Sequence, residues 1–223
     1  LLSATMLHPQ TLEFLKLEEF NDKKFFELYK PLYLQIKEQF ENLVSFLIEN
    51  ISKFDKNIIV ETKKCTFRIY KDMRFPRNRE KPYKINLANI AYGGKKSSYA
   101  YYIHIQNQQS YFSGVFFVQP KTANSIRKYI YKNWKKFKKI IENPEFKKTF
   151  GEVFSYHPKL KKIPKDFDPN HPSIKYILHR DWLINKKLSN KEVLKNIDKK
   201  MLEYAKIAKP FNQFLNDAIQ AKL

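Results

Sequence analysis

The chain has 223 residues, 43% of them hydrophobic and 16% aromatic. That excludes a disordered polymer and leaves room for one large domain or two small ones. Lys and Arg number 43 against 22 Asp and Glu, a formal charge of +21, which favours polyanionic partners: nucleic acid or an anionic membrane surface. Lys, Asn and Ile are all abundant, so an AT-rich coding sequence is an alternative source of part of that charge. The single cysteine, Cys65, excludes an internal disulfide and fits a reducing, cytoplasmic setting. No apolar run approaches the ~20 residues of a membrane span.

Residues 1–10, in which Leu1 to Thr5 precede Met6, are expected to be an N-terminal extension or remnant ahead of a domain over 11–223. They lack the charged start and apolar block of a signal peptide. Thr11, Leu12, Phe14, Leu15 and Leu17 predict a short helix, and Asn21 or Asp22 is placed to cap the next one. Leu32, Ile36, Phe40, Leu43, Leu47 and Ile51 recur at helical spacing and predict a long amphipathic helix, with Pro31 in its first turn. Thr66 to Tyr70 is predicted as a strand from its β-branched and aromatic residues, with Cys65 a buried thiol. Alternation then turns Phe67 and Ile69 to the core and Arg68, Tyr70 and Asp72 to the opposite face. Pro76 and Pro82 bracket a loop holding Arg77, Asn78, Arg79, Glu80 and Lys81.

Further strands are predicted over 85–91, 98–106 and 111–118, with Gly93-Gly94 as a hairpin turn between the first two. Gly93 to Ser97 is not a P-loop: the leading glycine is missing, and Lys96 stands where Ser or Thr must hold magnesium. In 98–106, alternation puts Ala100, Tyr102 and His104 on one face and Tyr101, Ile103 and Ile105 on the other. His104 is either a proton donor or acceptor beside a bound anion or a hydrogen-bonded structural residue. A helix is predicted over Lys121 to Ile141, its buried stripe Ile126, Ile130, Trp134, Phe137 and Ile141 backed by a lysine-rich solvated face. Asn143-Pro144 starts a short helix ending near Gly151. A proline-punctuated loop follows over 161–172, with Asp168 or Asn170 as cap for a helix from Pro172 to about His179. Trp182 to Leu188 is predicted as a last strand, and Ser189 with Glu192 as the cap of a final helix reaching Ala221. His179-Arg180-Asp181 matches a kinase triplet by chance, since no Asp-Phe-Gly or Gly-rich loop accompanies it. The five histidines show no paired ligand spacing and there is no cysteine pair, so no metal or other cofactor is expected.

Arginine is rationed in this chain. Of six, four fall between Cys65 and Asn86: Arg68, Arg74, Arg77 and Arg79. A guanidinium differs from an ammonium by a planar fork that grips carboxylate or phosphate at two points. The stretch therefore points to an anion site. The competing reading is a structural ion network in which Arg68, Asp72 and Arg74 pin a loop to a sheet. The surplus of positive charge over Glu61, Asp72 and Glu80 favours an external anion.

Arg68 to Phe75, followed by Lys81 to Lys84, resembles the signature of the uncharacterised family catalogued as domain of unknown function 2461. The matching residues are Arg68, Ile69, Asp72, Arg74, Phe75, Lys81, Pro82, Tyr83 and Lys84. Lys71 stands where that family usually has Arg, and Pro76 to Arg79 replace its usual Ser and Asp pattern. Phe20 to Tyr33, Gly93 to Ile105 and Pro164 to Pro172 are also similar, so the resemblance runs from about Thr11 to Leu215. It implies no established activity. It supports the fold and implies basic residues near Lys175 and Arg180 that complete an anion pocket.

The expected fold is α+β: a single domain with an antiparallel sheet and helices packed on one face and at the ends. The other face or its rim carries the candidate anion-binding residues Arg68, Arg74, Lys81, Tyr83, Lys84, Tyr102 and Arg180. His104 and Asp72 are the candidate catalytic residues. Three functions fit: a module binding nucleic acid or a phosphate ligand, an enzyme acting on a phosphorylated or carboxylated small molecule, and an interaction domain for an acidic protein.

Overall fold

A computed structural model describes residues 6–16, 23–58, 61–76, 81–91, 99–116 and 120–221. In chain order its elements are α1 (Thr11–Lys16), α2 (Lys23–Ser52), α3 (Thr62–Cys65), β1 (Leu87–Ala91), β2 (Tyr99–Ile105), β3 (Tyr111–Phe116), α4 (Pro120–Lys132), α5 (Trp134–Ile141), α6 (Pro144–Phe150), α7 (Ile174–Ile177), β4 (Ile184–Lys187), α8 (Asn190–Lys195) and α9 (Ile197–Gln220). The strands form one antiparallel sheet in the order β1-β2-β3-β4, the α+β class expected from the sequence. The chain divides into two compact units. Unit 1 comprises Leu1–Lys95, Tyr102–Phe112 and Lys187–Glu203; unit 2 comprises Lys96–Tyr101, Ser113–Lys186 and Tyr204–Leu223.

In unit 1, α2 buries Ile36, Phe40, Leu43, Leu47 and Ile51 of the helical stripe expected from the sequence; Leu32 is half-buried, and Val44 is buried beside the stripe. It starts earlier than expected, so Pro31 lies in its interior, not its first turn. The extra turns are held by Phe26, whose ring stacks on Tyr83 at 3.9 Å in a cluster with Ile69. Asn21 and Asp22 lie outside the described residues, as do Arg77 to Glu80 and Gly93-Gly94. Thr66 to Tyr70 is extended but is not a ladder strand. It meets 82–89 at two isolated antiparallel bridges, Thr66 with Asn89 and Tyr70 with Tyr83. Phe67 bonds to Ala88, yet Ile69, two residues on, bonds to Lys84. Four residues on one side thus oppose two on the other, a bulge over Ile85 and Asn86 that interrupts the ladder. Cys65, the chain's single cysteine, is buried at the end of α3. The β2–β3 turn carries Gln108 at φ 56°, its N–H donating to Asn190 Oδ1 at 2.9 Å. Ser189 and Glu192 form the expected capping box of α8.

In unit 2, the helix expected over 121–141 is two. Asn133 divides them: its backbone N–H and its side-chain Nδ2 both donate to the Tyr129 carbonyl, ending α4 before α5 begins. Asn143 caps α6 by accepting from the Glu145 and Phe146 N–H groups. Neither Asp168 nor Asn170 caps α7: Asp168 accepts from the Asn170 N–H in a local turn, and Ser173 precedes the helix. In unit 1, the final helix expected from Ser189 is likewise interrupted, at Asn196, between α8 and α9. Gly114 on β3 is a close approach. A Cβ there would lie 2.8 Å from both Asn212 Oδ1 and Ile184 Cγ1.

Arg127, on α4, is buried and donates from Nε to the Ile177 carbonyl and from Nη2 to the His179 carbonyl, each at 2.8 Å. Arg127→Ala leaves two carbonyls unpaired, and a loss of about 2–4 kcal/mol in urea unfolding is expected. His179 is buried, its Nδ1 without a hydrogen-bond partner, and burial with the nearby Lys159 charge lowers its pKa from 6.5 to about 4. The unfolded chain therefore binds the extra proton first. Stability is expected to hold above the ordinary value of 6.5, to fall as pH drops toward about 4, and to level off below. Melting curves across that window check it, and His179→Phe should flatten the decline.

Candidate functional site

The Arg-rich stretch folds as a loose hairpin in unit 1. Asp72 organises its tip. Its Oδ1 accepts the Arg74 backbone N–H at 3.1 Å, and its two oxygens take Arg74 Nε at 3.0 and 3.1 Å and Nη2 at 2.6 Å. The guanidinium that meets Asp72 side-on is thus that of Arg74. These bonds hold the Asp72 carboxyl down to about 2, with Arg68 adding a longer-range pull. Arg74 nonetheless leaves 87% of its side chain in solvent. Two of its five N–H groups are spent on Asp72, so three point outward. Around it Tyr70, Met73 and Phe75 are exposed by 44%, 43% and 53%. Arg68 and Lys81 are exposed as well. Lys84 donates from Nζ to the Arg68 carbonyl at 2.7 Å and lies 5.6 Å from the centre of the Phe67 ring. Tyr83 is different: 6% exposed and stacked on Phe26, its ring is a core residue.

The second set of candidates sits on β2 and β3, also in unit 1. Tyr101, Ile103 and Ile105 are buried, as their alternation predicts, while Tyr102 and His104 are half-buried. Ala100 is fully buried too. The Tyr102 hydroxyl meets His104 Nδ1 at 3.0 Å, and His104 Nε2 meets Gln106 Oε1 at 2.9 Å. Since the amide oxygen only accepts, the network assigns the proton to Nε2 and makes Nδ1 the acceptor from Tyr102. The imidazole also stacks on Tyr111, 4.8 Å away and 13° from parallel. Burial lowers the His104 pKa against the pull of Gln106. Burial, with Tyr111 as neighbour and hydrogen-bond partner, raises that of Tyr102. The result is a neutral chain of hydrogen bonds in which both imidazole nitrogens are engaged.

Arg180 belongs to unit 2, where it is exposed and donates from Nε to the Pro158 carbonyl at 2.8 Å. Sequence reading missed three polar groups there. Arg127 was passed over because its charge is spent on backbone carbonyls, which leave no mark in a sequence. His157 Nδ1 meets Asp181 Oδ2 across 24 residues of sequence, with Asp181 also accepting the Tyr156 N–H at 2.6 Å. Among the described residues, no group of His, Cys, Asp and Glu is placed to hold a metal ion, and no helix is long and apolar enough to cross a membrane.

These features define a class: an α+β protein with an exposed basic turn, near which in sequence Tyr70, Met73 and Phe75 are also exposed. The chain belongs to the family described as conserved hypothetical protein DUF2461, which it matches over residues 10–214. No curated protein and no solved structure matches it.

His104→Ala strips the Tyr102 hydroxyl and Gln106 of a shared partner and removes the ring stacked on Tyr111. A stability loss of about 1–3 kcal/mol is expected, measured by thermal or denaturant unfolding. An unchanged melting temperature would mean that the network contributes nothing to the fold.

Proposed function

We propose that the chain is a binding module for phosphate-bearing polymers, nucleic acid above all, with the turn at Asp72 and Arg74 as its point of contact. One observation carries the reading. Arg74 is held in one orientation by Asp72 yet 87% exposed, so its outward N–H groups are pre-positioned for a phosphate. Phe75, the next residue in the chain, is 53% exposed, and Tyr70 keeps 44% of its surface in solvent while its ring packs on Phe26 and Tyr83; exposed aromatic rings are surfaces on which bases stack. The formal charge of +21 supplies long-range attraction for a polyanion.

Two features favour a polymer over a small substrate and binding over turnover. A side chain so exposed is not the wall of a closed pocket. The two candidate proton carriers are poorly suited: His104 has both nitrogens engaged, and a carboxyl held at about 2 is a weak base at neutral pH. A cytoplasmic site of action goes with this reading, because nucleic acid is met there.

The test is binding of generic single- and double-stranded oligonucleotides at several salt concentrations. Affinity is expected to fall linearly on a log–log plot as contacts release counterions. Arg74→Ala should lower the slope by about one. Arg74→Lys keeps the charge and the slope but loses the fork, and should weaken binding by about tenfold. The melting temperature should barely move in either variant, since exposed ion pairs contribute little to folding. No binding at low salt would sink the proposal. A large stability loss in Arg74→Lys with unchanged affinity would make Arg74 a structural clamp.

A further inference from the structure

Unit 2 contains a cleft of about 310 Å3 between α5, α6, α7 and the segment after α6. Its floor is apolar. Trp134 and Tyr176 stand 6.0 Å apart by ring centroid, tilted by 37°, with Ile141 and Val153 buried beside them. Trp134, Lys138 and Ile141 reach it together because they share one helical face. Its rim is charged. Lys138 faces Glu142 at 3.8 Å on one side, Lys175 faces Glu152 at 3.5 Å on the other, and Lys147 lines it from α6.

Both pairs are long and about half or more exposed, so they contribute little and exchange readily for a ligand's charge. Three ammonium groups against two carboxylates leave one positive charge over, matching a ligand with one anionic group. Lys175 Nζ lies 4.9 Å from the centre of the Tyr176 ring. A neutral phenol has a proton to donate to an anion. Burial raises the Tyr176 pKa and keeps that proton in place. The volume is at the small end for ligand pockets, enough for a ring bearing one charged group.

We infer that this cleft binds a small molecule in which a flat aromatic or nucleobase ring carries a single anionic group, either a carboxylate or a phosphate monoester. The ring lies on Trp134 and Tyr176. The anion is met by Lys147 and by Lys175, which releases Glu152 as the ligand enters, and it accepts the Tyr176 hydroxyl. The site is independent of the turn at Arg74.

The chain has two tryptophans, and Trp182 is fully buried, so emission changes on ligand addition report on Trp134. The full chain is titrated with adenosine monophosphate, phenylacetate, adenosine and inorganic phosphate. A saturable change with one or both of the first two is expected, and the pattern says whether phosphate or carboxylate is preferred. Adenosine and inorganic phosphate, each lacking half of the ligand, should bind at least about tenfold more weakly. Lys147→Gln, at an exposed position, should weaken binding by about tenfold, and so should Trp134→Leu followed by calorimetry. Arg74→Lys should leave it unchanged. No saturable response to any of the four compounds would overturn the inference, and so would unaltered affinity in Lys147→Gln. If Trp134→Leu fails to fold, the Lys147 variant alone decides.

Discussion

Arg127 is a permanent charge taken below the surface, and unit 2 is arranged around making that tolerable. Burial, with Arg180 nearby, lowers its pKa, yet a guanidinium keeps its proton under such pressure. It therefore needs acceptors, and it takes the carbonyls of Ile177 and His179. The benefit runs both ways. α7 is a single turn, too short to hold its own shape. Arg127 fixes its end, and the Trp182 indole N–H fixes its middle by donating to the Tyr176 carbonyl at 3.0 Å. Lys175, Tyr176 and His179 take their positions from that turn. Arg74 is the opposite use of the same chemistry. It is exposed, paired with a carboxylate two residues away, and holds nothing else in place.

Patterns that depend on one element were legible in the sequence. The stripe of α2 and the alternation of β2 are each set by a single period, and they match the buried positions except at Leu32, which is half-buried, and Ala100, which is buried. Breaks within elements were not legible. Asn133 ends α4 by bonding back to Tyr129, but asparagine also sits harmlessly inside helices, so its presence alone does not mark a boundary. The strand expected at Thr66 to Tyr70 failed for a reason outside that segment. Its residues favour a strand, but the partner chain bulges at Ile85 and Asn86 and carries Pro82, which has no N–H to give. Pro31 misled in the other direction. Proline suits a helix start, but the aromatic contact of Phe26 extends the helix upstream of it.

The candidate site was legible as chemistry and not as geometry. Four arginines in one stretch marked the turn, and Asp72 was expected between Arg68 and Arg74. That Asp72 closes on Arg74 follows from its turn, since the same carboxylate also takes the Arg74 backbone N–H. Tyr83 and Tyr102 were grouped by residue type. The fold separates their roles, the first in an aromatic core and the second in a polar chain with His104. No sequence rule distinguishes those two tyrosines, because the difference lies in what the neighbouring segments place beside them.

Gln108 gives the β2–β3 hairpin an unusual dependence. A residue with a side chain resists the left-handed conformation, so the turn stores strain when the hairpin stands alone. Its N–H is satisfied by Asn190, 82 positions along the chain. A contact that looks local is thereby tied to a distant one. The turn's backbone N–H is thus satisfied only when segments 82 positions apart come together, a closure that costs chain entropy no short hairpin has to meet.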